Sequence, residues 1–127
     1  MVHVTVSGLR RVWGERRSEV SDALHAALVS AWRIPQDKRF HRFHLLDDGD
    51  LLVPRSDAYL LVEVLCFAGR SPEAKRALVR AMYDDVAPAL GLASDDLELV
   101  VVESPRENWG IRGLAGDELA LGYRVDV

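Results

Sequence analysis

Hydrophobic and polar positions alternate strictly at the start of the chain. Val2, Val4 and Val6 project to one side, His3 and Thr5 to the other, and Ser7-Gly8 closes the run. This is the pattern of a half-buried strand. A polar, arginine-rich connection follows through Gly14. The period then changes. From Ser18, the residues Val20, Ala23, Leu24, Ala27, Leu28 and Ala31 recur at helical spacing as one stripe. Ser18 is suited to cap that helix and Pro35 to close it. A further strand is predicted over residues 39–46.

Asp47-Asp48-Gly49-Asp50 and Pro54-Arg55-Ser56-Asp57 carry turn and loop chemistry. Beyond them lies the most apolar strand, over residues 58–67, which Gly69 breaks. Ser71-Pro72-Glu73 combines an N-cap, a proline at the first helical position and an acidic first turn. Ala74, Ala77, Leu78, Ala81, Met82 and Val86 continue as a helical stripe until Pro88 and Gly91. Leu97, Leu99 and Val101 mark one face of another strand, which Val100 and Val102 make apolar on both faces. A glycine-containing turn, 108–113, precedes a short strand-like end at 122–127.

The halves superpose when Glu19 is laid on Glu73: Ala23-Leu24 then falls on Ala77-Leu78, and Phe43 and Leu45 on Leu97 and Leu99. A single domain over 1–127, with internal repeats of approximately 1–53 and 54–127, is the expectation. Strand–helix–strand written twice predicts an α+β fold. Each strand pair is expected to be parallel and joined by a right-handed crossover. The product is a four-stranded mixed sheet with two helices on one face. The other face is apolar enough to need cover, so self-association is expected.

Composition changes this picture little. The 127 residues are 49% hydrophobic and 28% charged, as in an ordinary soluble globular domain. A net charge of −4 offers no basic stripe for phosphate, so no nucleic-acid partner is expected. The cluster Arg10, Arg11, Arg16 and Arg17 reads as a solvated loop face. No apolar run approaches the ~18 residues of a membrane span, and no signal-peptide core opens the chain; a cytoplasmic location is expected. Cys66, the one cysteine, excludes an intramolecular disulfide. It is read as a small buried hydrophobe rather than a nucleophile, for want of groups to stabilise a thiolate. His41 and His44 lie three apart on a strand and face opposite sides, against a metal site, and no cofactor is expected. His25, at the border of the first helical stripe, is expected to be partly buried.

Arg70 is the strongest candidate for chemistry. A guanidinium beside the first N–H groups of a helix favours a carboxylate. Its setting, Gly69-Arg70-Ser71-Pro72-Glu73-Ala74-Lys75, resembles the helix start of 4-oxalocrotonate tautomerase and malonate semialdehyde decarboxylase, members of the tautomerase superfamily. Arg16-Arg17-Ser18 stands at the same place in the first unit. Asn108-Trp109-Gly110-Ile111-Arg112-Gly113 is similar to the aromatic–glycine hairpin that follows the last strand of a tautomerase unit. Pro54-Arg55-Ser56-Asp57 resembles the linker of the decarboxylase-like branch. The resemblance implies β-α-β units assembled as a homotrimer, a small carboxylate-bearing ligand held by Arg70, and Trp109 as an apolar wall or an interface aromatic. Arg112 is either a second anion contact or a solvated turn residue.

Three departures stand out. The family's N-terminal proline is missing, and Val2 follows Met1. If Met1 is removed, the Val2 amine takes the catalytic place as a primary-amine base. If Met1 stays, the amine moves by up to ~3.6 Å, a misplacement that can cost about 100-fold in rate. Ala68 stands where the decarboxylase branch has a second arginine, and Lys38 where it has a water-activating aspartate, with Asp37 adjacent. Three outcomes follow: a weak or altered tautomerase or decarboxylase-like enzyme using Val2, Arg70 and Trp109; a non-catalytic trimeric ligand-binding homologue; or an enzyme with another base, Asp37 or His3.

Overall fold

A computed structural model describes residues 1–124. Strand β1 (Val2–Leu9) is followed by a helical turn α1 (Arg10–Trp13), helix α2 (Arg17–Trp32) and strand β2 (His41–Leu46). Strand β3 (Leu60–Phe67), helix α3 (Pro72–Ala81), a π-helical turn (Met82–Val86), α4 (Ala87–Leu90) and strand β4 (Leu97–Ser104) form the second unit. A small hairpin, β5 (Gly110–Ile111) and β6 (Leu114–Ala115), follows. The four-stranded sheet has the order β2-β1-β3-β4. β1 and β2 are parallel, β3 and β4 are parallel, and β1 and β3 meet antiparallel with Val4 opposite Val64. The mixed α+β sheet expected from the pattern is what forms.

The alternation decides which side is covered. Val2, Val4 and Val6 of β1 and Leu60, Val62 and Val64 of β3 are buried in one core with Val20, Leu24 and Leu28 of α2 and Leu78 of α3. Side chains between them, such as Leu65, Val100 and Val102, stay 39%, 42% and 44% exposed on the opposite face.

Several local expectations are corrected. The arginine-rich connection is partly helical, because Trp13 is buried and pulls the chain into a turn. Arg16 already bonds back to the Trp13 carbonyl (2.9 Å), so α2 starts at Arg17 with no side-chain cap. Ser18 is then inside the first turn, too late to cap. Pro35 does not end the helix; Arg33 does, in the left-handed region at φ 56° with its N–H on the Val29 carbonyl. His25 is fully buried, its Nε2 3.0 Å from the Gln36 carbonyl. The expected C-terminal strand is absent over residues 122–124, and 125–127 lie outside the described residues. Of the basic cluster, Arg10, Arg11 and Arg17 are exposed, Arg10 pairing with Asp47 and Arg11 with Asp48 and Asp57, whereas Arg16 is half-buried over the Trp13 ring (4.5 Å) and donates to the Leu90 carbonyl (3.1 Å).

Candidate active site

Arg70 sits in the turn between β3 and α3, and several contacts fix that turn. Gly69 has φ 130°, a conformation that side-chain-bearing residues rarely adopt. Its N–H donates to Glu103 Oε2 (3.2 Å), and Lys75 Nζ donates to the same carboxylate. The Ser71 hydroxyl accepts the Ala74 N–H (3.1 Å), the N-cap expected from sequence. Arg70 itself is buried, and its guanidinium lies 4.1 Å over the Trp32 ring. Trp32 is held in turn by Nε1–H donation to the Ala74 carbonyl (2.8 Å). The indole face offers the guanidinium a cation–π contact, and Cys66 is a further neighbour of Arg70.

The first residue meets this arginine. The Phe67 N–H bonds the Met1 carbonyl (3.3 Å), which draws the start of β1 to the end of β3. Burial, and then the positive charge of Arg70, bring the Met1 amine from 8.0 down to about 5, with Arg106 adding to the effect. An amine so placed is uncharged at neutral pH and has a lone pair to accept a proton. The Val2 side chain turns away into the core.

Beside the amine is a cavity of about 160 Å³, whose lining includes Met1, Pro35, Asp37, Lys38, Arg112 and Tyr123. Asp37 and Lys38 both reach it. They lie in a turn closed by the Lys38 N–H on the Pro35 carbonyl (3.0 Å), ahead of β2, so the alternation of a strand does not separate them. Arg112, exposed, has φ 50° and with Gly113 makes the tight turn of the β5–β6 hairpin. Trp109 lies edge-on to Phe67, ring centroids 5.2 Å apart, and 5.7 Å from His3. His3 stacks on Phe40 (4.8 Å) and faces Arg42 Nη1 at 3.0 Å through Nδ1. Arginine only donates, so the His3 proton is on Nε2; burial and Arg42 lower its basicity.

Cys66 is less isolated than its apolar neighbours in sequence imply. Burial pushes its thiol upward, while the nearby Arg70 opposes that. Sequence reasoning passed over Arg106 and Tyr123. The Tyr123 hydroxyl is raised by burial and pulled back by Arg70, Arg106 and Arg112. Neither residue lies in a recognisable motif, and only the return of the chain brings them to the amine. Among the described residues no group of histidine, cysteine and carboxylate side chains is arranged to hold a metal ion, and no helix is long and apolar enough to cross a membrane.

Paired β-α-β units thus bring the first amine under the influence of an arginine at a helix start. A family model described as tautomerase enzyme matches residues 38–112, more than half of the chain, and the protein belongs to that family. The 2-hydroxymuconate tautomerase of Comamonas testosteroni is 32% identical over 57 residues, 45% of this chain and 90% of that protein. FG41 malonate semialdehyde decarboxylase inhibited by 3-bromopropiolate is similar in structure, with TM-score 0.76 and 26% identity over 94% of this chain and 98% of that one. The R7 fused 4-OT wild-type asymmetric trimer shares the fold at TM-score 0.80 and 18% identity, covering 91% and 97%.

Proposed function

We propose that the protein acts on a small oxo-carboxylate by tautomerase or isomerase chemistry, with the chain's first amine as the base. The observation that carries this reading is the burial of both the first residue and Arg70, whose charge is, after burial, the main influence lowering the amine. In the reaction the neutral amine takes the hydroxyl proton of an enol acid. The O–H electron pair becomes the new carbonyl π bond, the enol double bond opens toward carbon, and the ammonium returns a proton to that carbon. Arg70 is assigned to hold the carboxylate by charge-assisted hydrogen bonds, and Trp109, packed edge-on to Phe67, to supply the apolar side. Arg112 adds an exposed cation at the cavity mouth, and Asp37 is the second candidate base. With Met1 cleaved, the Val2 amine takes the role. The proposed assembly is a homotrimer, as in the fused 4-OT trimer.

A second reading, a non-catalytic ligand-binding homologue, is favoured by the missing proline: the amine is primary, and Val2 gives its side chain to the core. Ketonisation of phenylenolpyruvate by the native protein, Arg70→Ala, Asp37→Asn and Val2→Pro, with mass spectrometry of the N-terminus, separates the two. The enzyme reading predicts native activity that Arg70→Ala removes. Activity in Val2→Pro alone establishes the non-catalytic reading. Native activity untouched by Arg70→Ala contradicts the assigned site.

A further inference from the structure

Arg106 opens the short 3-10 turn (Arg106–Asn108) that leads from β4 to β5. Its guanidinium carbon is 5.0 Å from the centre of the Phe67 ring. Phe67 is also the residue that bonds the Met1 carbonyl and meets the edge of Trp109. Arg106 therefore comes to the amine from a different element than Arg70 does. Its positive charge also helps to hold the amine deprotonated.

Two features set this side chain apart. The Arg106 Nε is buried with no hydrogen-bond partner among the described residues. A buried donor left unsatisfied costs stability, a cost that an incoming oxygen relieves. The turn that carries it is also fixed. The Trp109 N–H donates to the Arg106 carbonyl (3.1 Å), and the Gly116 N–H to the Trp109 carbonyl (2.8 Å). A Cβ at Gly116 would come within 2.3 Å of the Arg106 carbonyl oxygen, so only glycine lets the returning chain lie this close.

We infer that Arg106 is a second anion-binding arm of the amine site, contributing a guanidinium from the β4–β5 turn to a small oxo-carboxylate that Arg70 grips from the β3–α3 turn. The inference rests on the proposed amine-centred function. The geometry explains why one aromatic, Phe67, is a common floor: it supports Arg106, abuts Trp109 and anchors the first residue. Arg106 is assigned to binding and orientation, and proton transfer stays with the amine.

The test uses 2-oxo-3-pentynoate and its uncharged methyl ester as probes on the intact protein at about pH 8, at which a buried amine of this kind is neutral. The amine nitrogen adds to the alkyne carbon remote from the ketone. One π bond opens, the amine proton passes through solvent to the adjacent carbon, and the N-terminal peptide gains the full mass of the reagent. For Arg106→Gln, the acid concentration giving half-maximal labelling rate is expected to rise about tenfold or more, as for loss of a charge-assisted hydrogen bond. Labelling by the ester should stay within about twofold, and Arg106→Lys should recover part of the loss by restoring charge without the fork. Equal losses with acid and ester would mean a purely structural role and overturn the inference. Native-like labelling of Arg106→Gln, with the preference for acid lost in Arg70→Gln, would also overturn it and leave the amine reading standing. No labelling of the native amine would defeat the amine reading and this inference with it.

Discussion

An amine that opens a chain is ordinarily mostly protonated at neutral pH, so only a minor fraction is available as a base. Here burial makes the charged form costly, and Arg70 and Arg106 repel it further. Replacing Arg70 removes the largest charge effect and the grip on the carboxylate together. Arg70→Gln is therefore expected to raise the half-saturating concentration of an oxo acid about tenfold to a hundredfold, measured by steady-state kinetics or by amine labelling. His41 supplies a separate residue-scale prediction. Burial, then His25 and Arg39, lower it from 6.5 to about 4, against a smaller opposing pull from Asp22. Between those values the unfolded chain binds a proton that the folded chain refuses. Stability should thus be full above about pH 6.5 and decline as pH falls toward 4, and His41→Gln should flatten that part of the melting-temperature profile. Arg70 and Trp109 were legible in sequence because each lies in a local motif. Arg106, Tyr123 and the Arg70–Cys66 proximity were not, since no spacing within one element encodes a contact made by the chain returning past the sheet.

At the scale of elements, the site depends on two turns that have little freedom. In the β3–α3 turn, Gly69 at φ 130° and the Ser71 cap set the direction of Arg70, and Glu103 clamps the loop to β4. Ser71→Ala is expected to cost about 1 kcal/mol in chemical denaturation. Gly69→Ala forces a strained backbone, of order 1–3 kcal/mol, and should also weaken oxo-acid binding by shifting Arg70. In the hairpin, Gly116→Ala must displace the Arg106 carbonyl or the Trp109 Cβ, which a Cβ would approach to 2.3 and 3.0 Å. Near-ultraviolet circular dichroism of Trp109 should change with it. The cap and proline at the start of α3 were readable, because all of the interactions that define them are local. The start of α2 was misread at Ser18 because the buried Trp13 creates a preceding turn that carries the chain into the helix early. The π-helical turn at Met82–Val86 likewise has no signature in a stripe that keeps its apolar side inward throughout.

For the whole molecule, alternation in β1 and β3 fixed the sheet's covered face, and the helical stripes fixed what covers it. That made the mixed sheet readable from the pattern alone. The uncovered face retains Leu65, Val100 and Val102, with Leu65 directly opposite Val102 in the β3–β4 pairing. In the proposed trimer this apolar face is covered by neighbouring copies. Sedimentation equilibrium is expected to return three times the chain mass of 14.2 kDa, and charged substitutions at Val100 and Val102 together should lower it toward one. The fold brings the chain's first amine, partly buried and under the positive charges of Arg70 and Arg106, to the edge of a small cavity. The most direct measurement is an NMR titration of that amine after isotopic labelling of the N-terminal residue, with mass spectrometry identifying the residue that carries it. A midpoint near pH 5 in the native protein, rising in both Arg70→Gln and Arg106→Gln, is the predicted result. A midpoint near 8, unchanged by either substitution, would contradict the account.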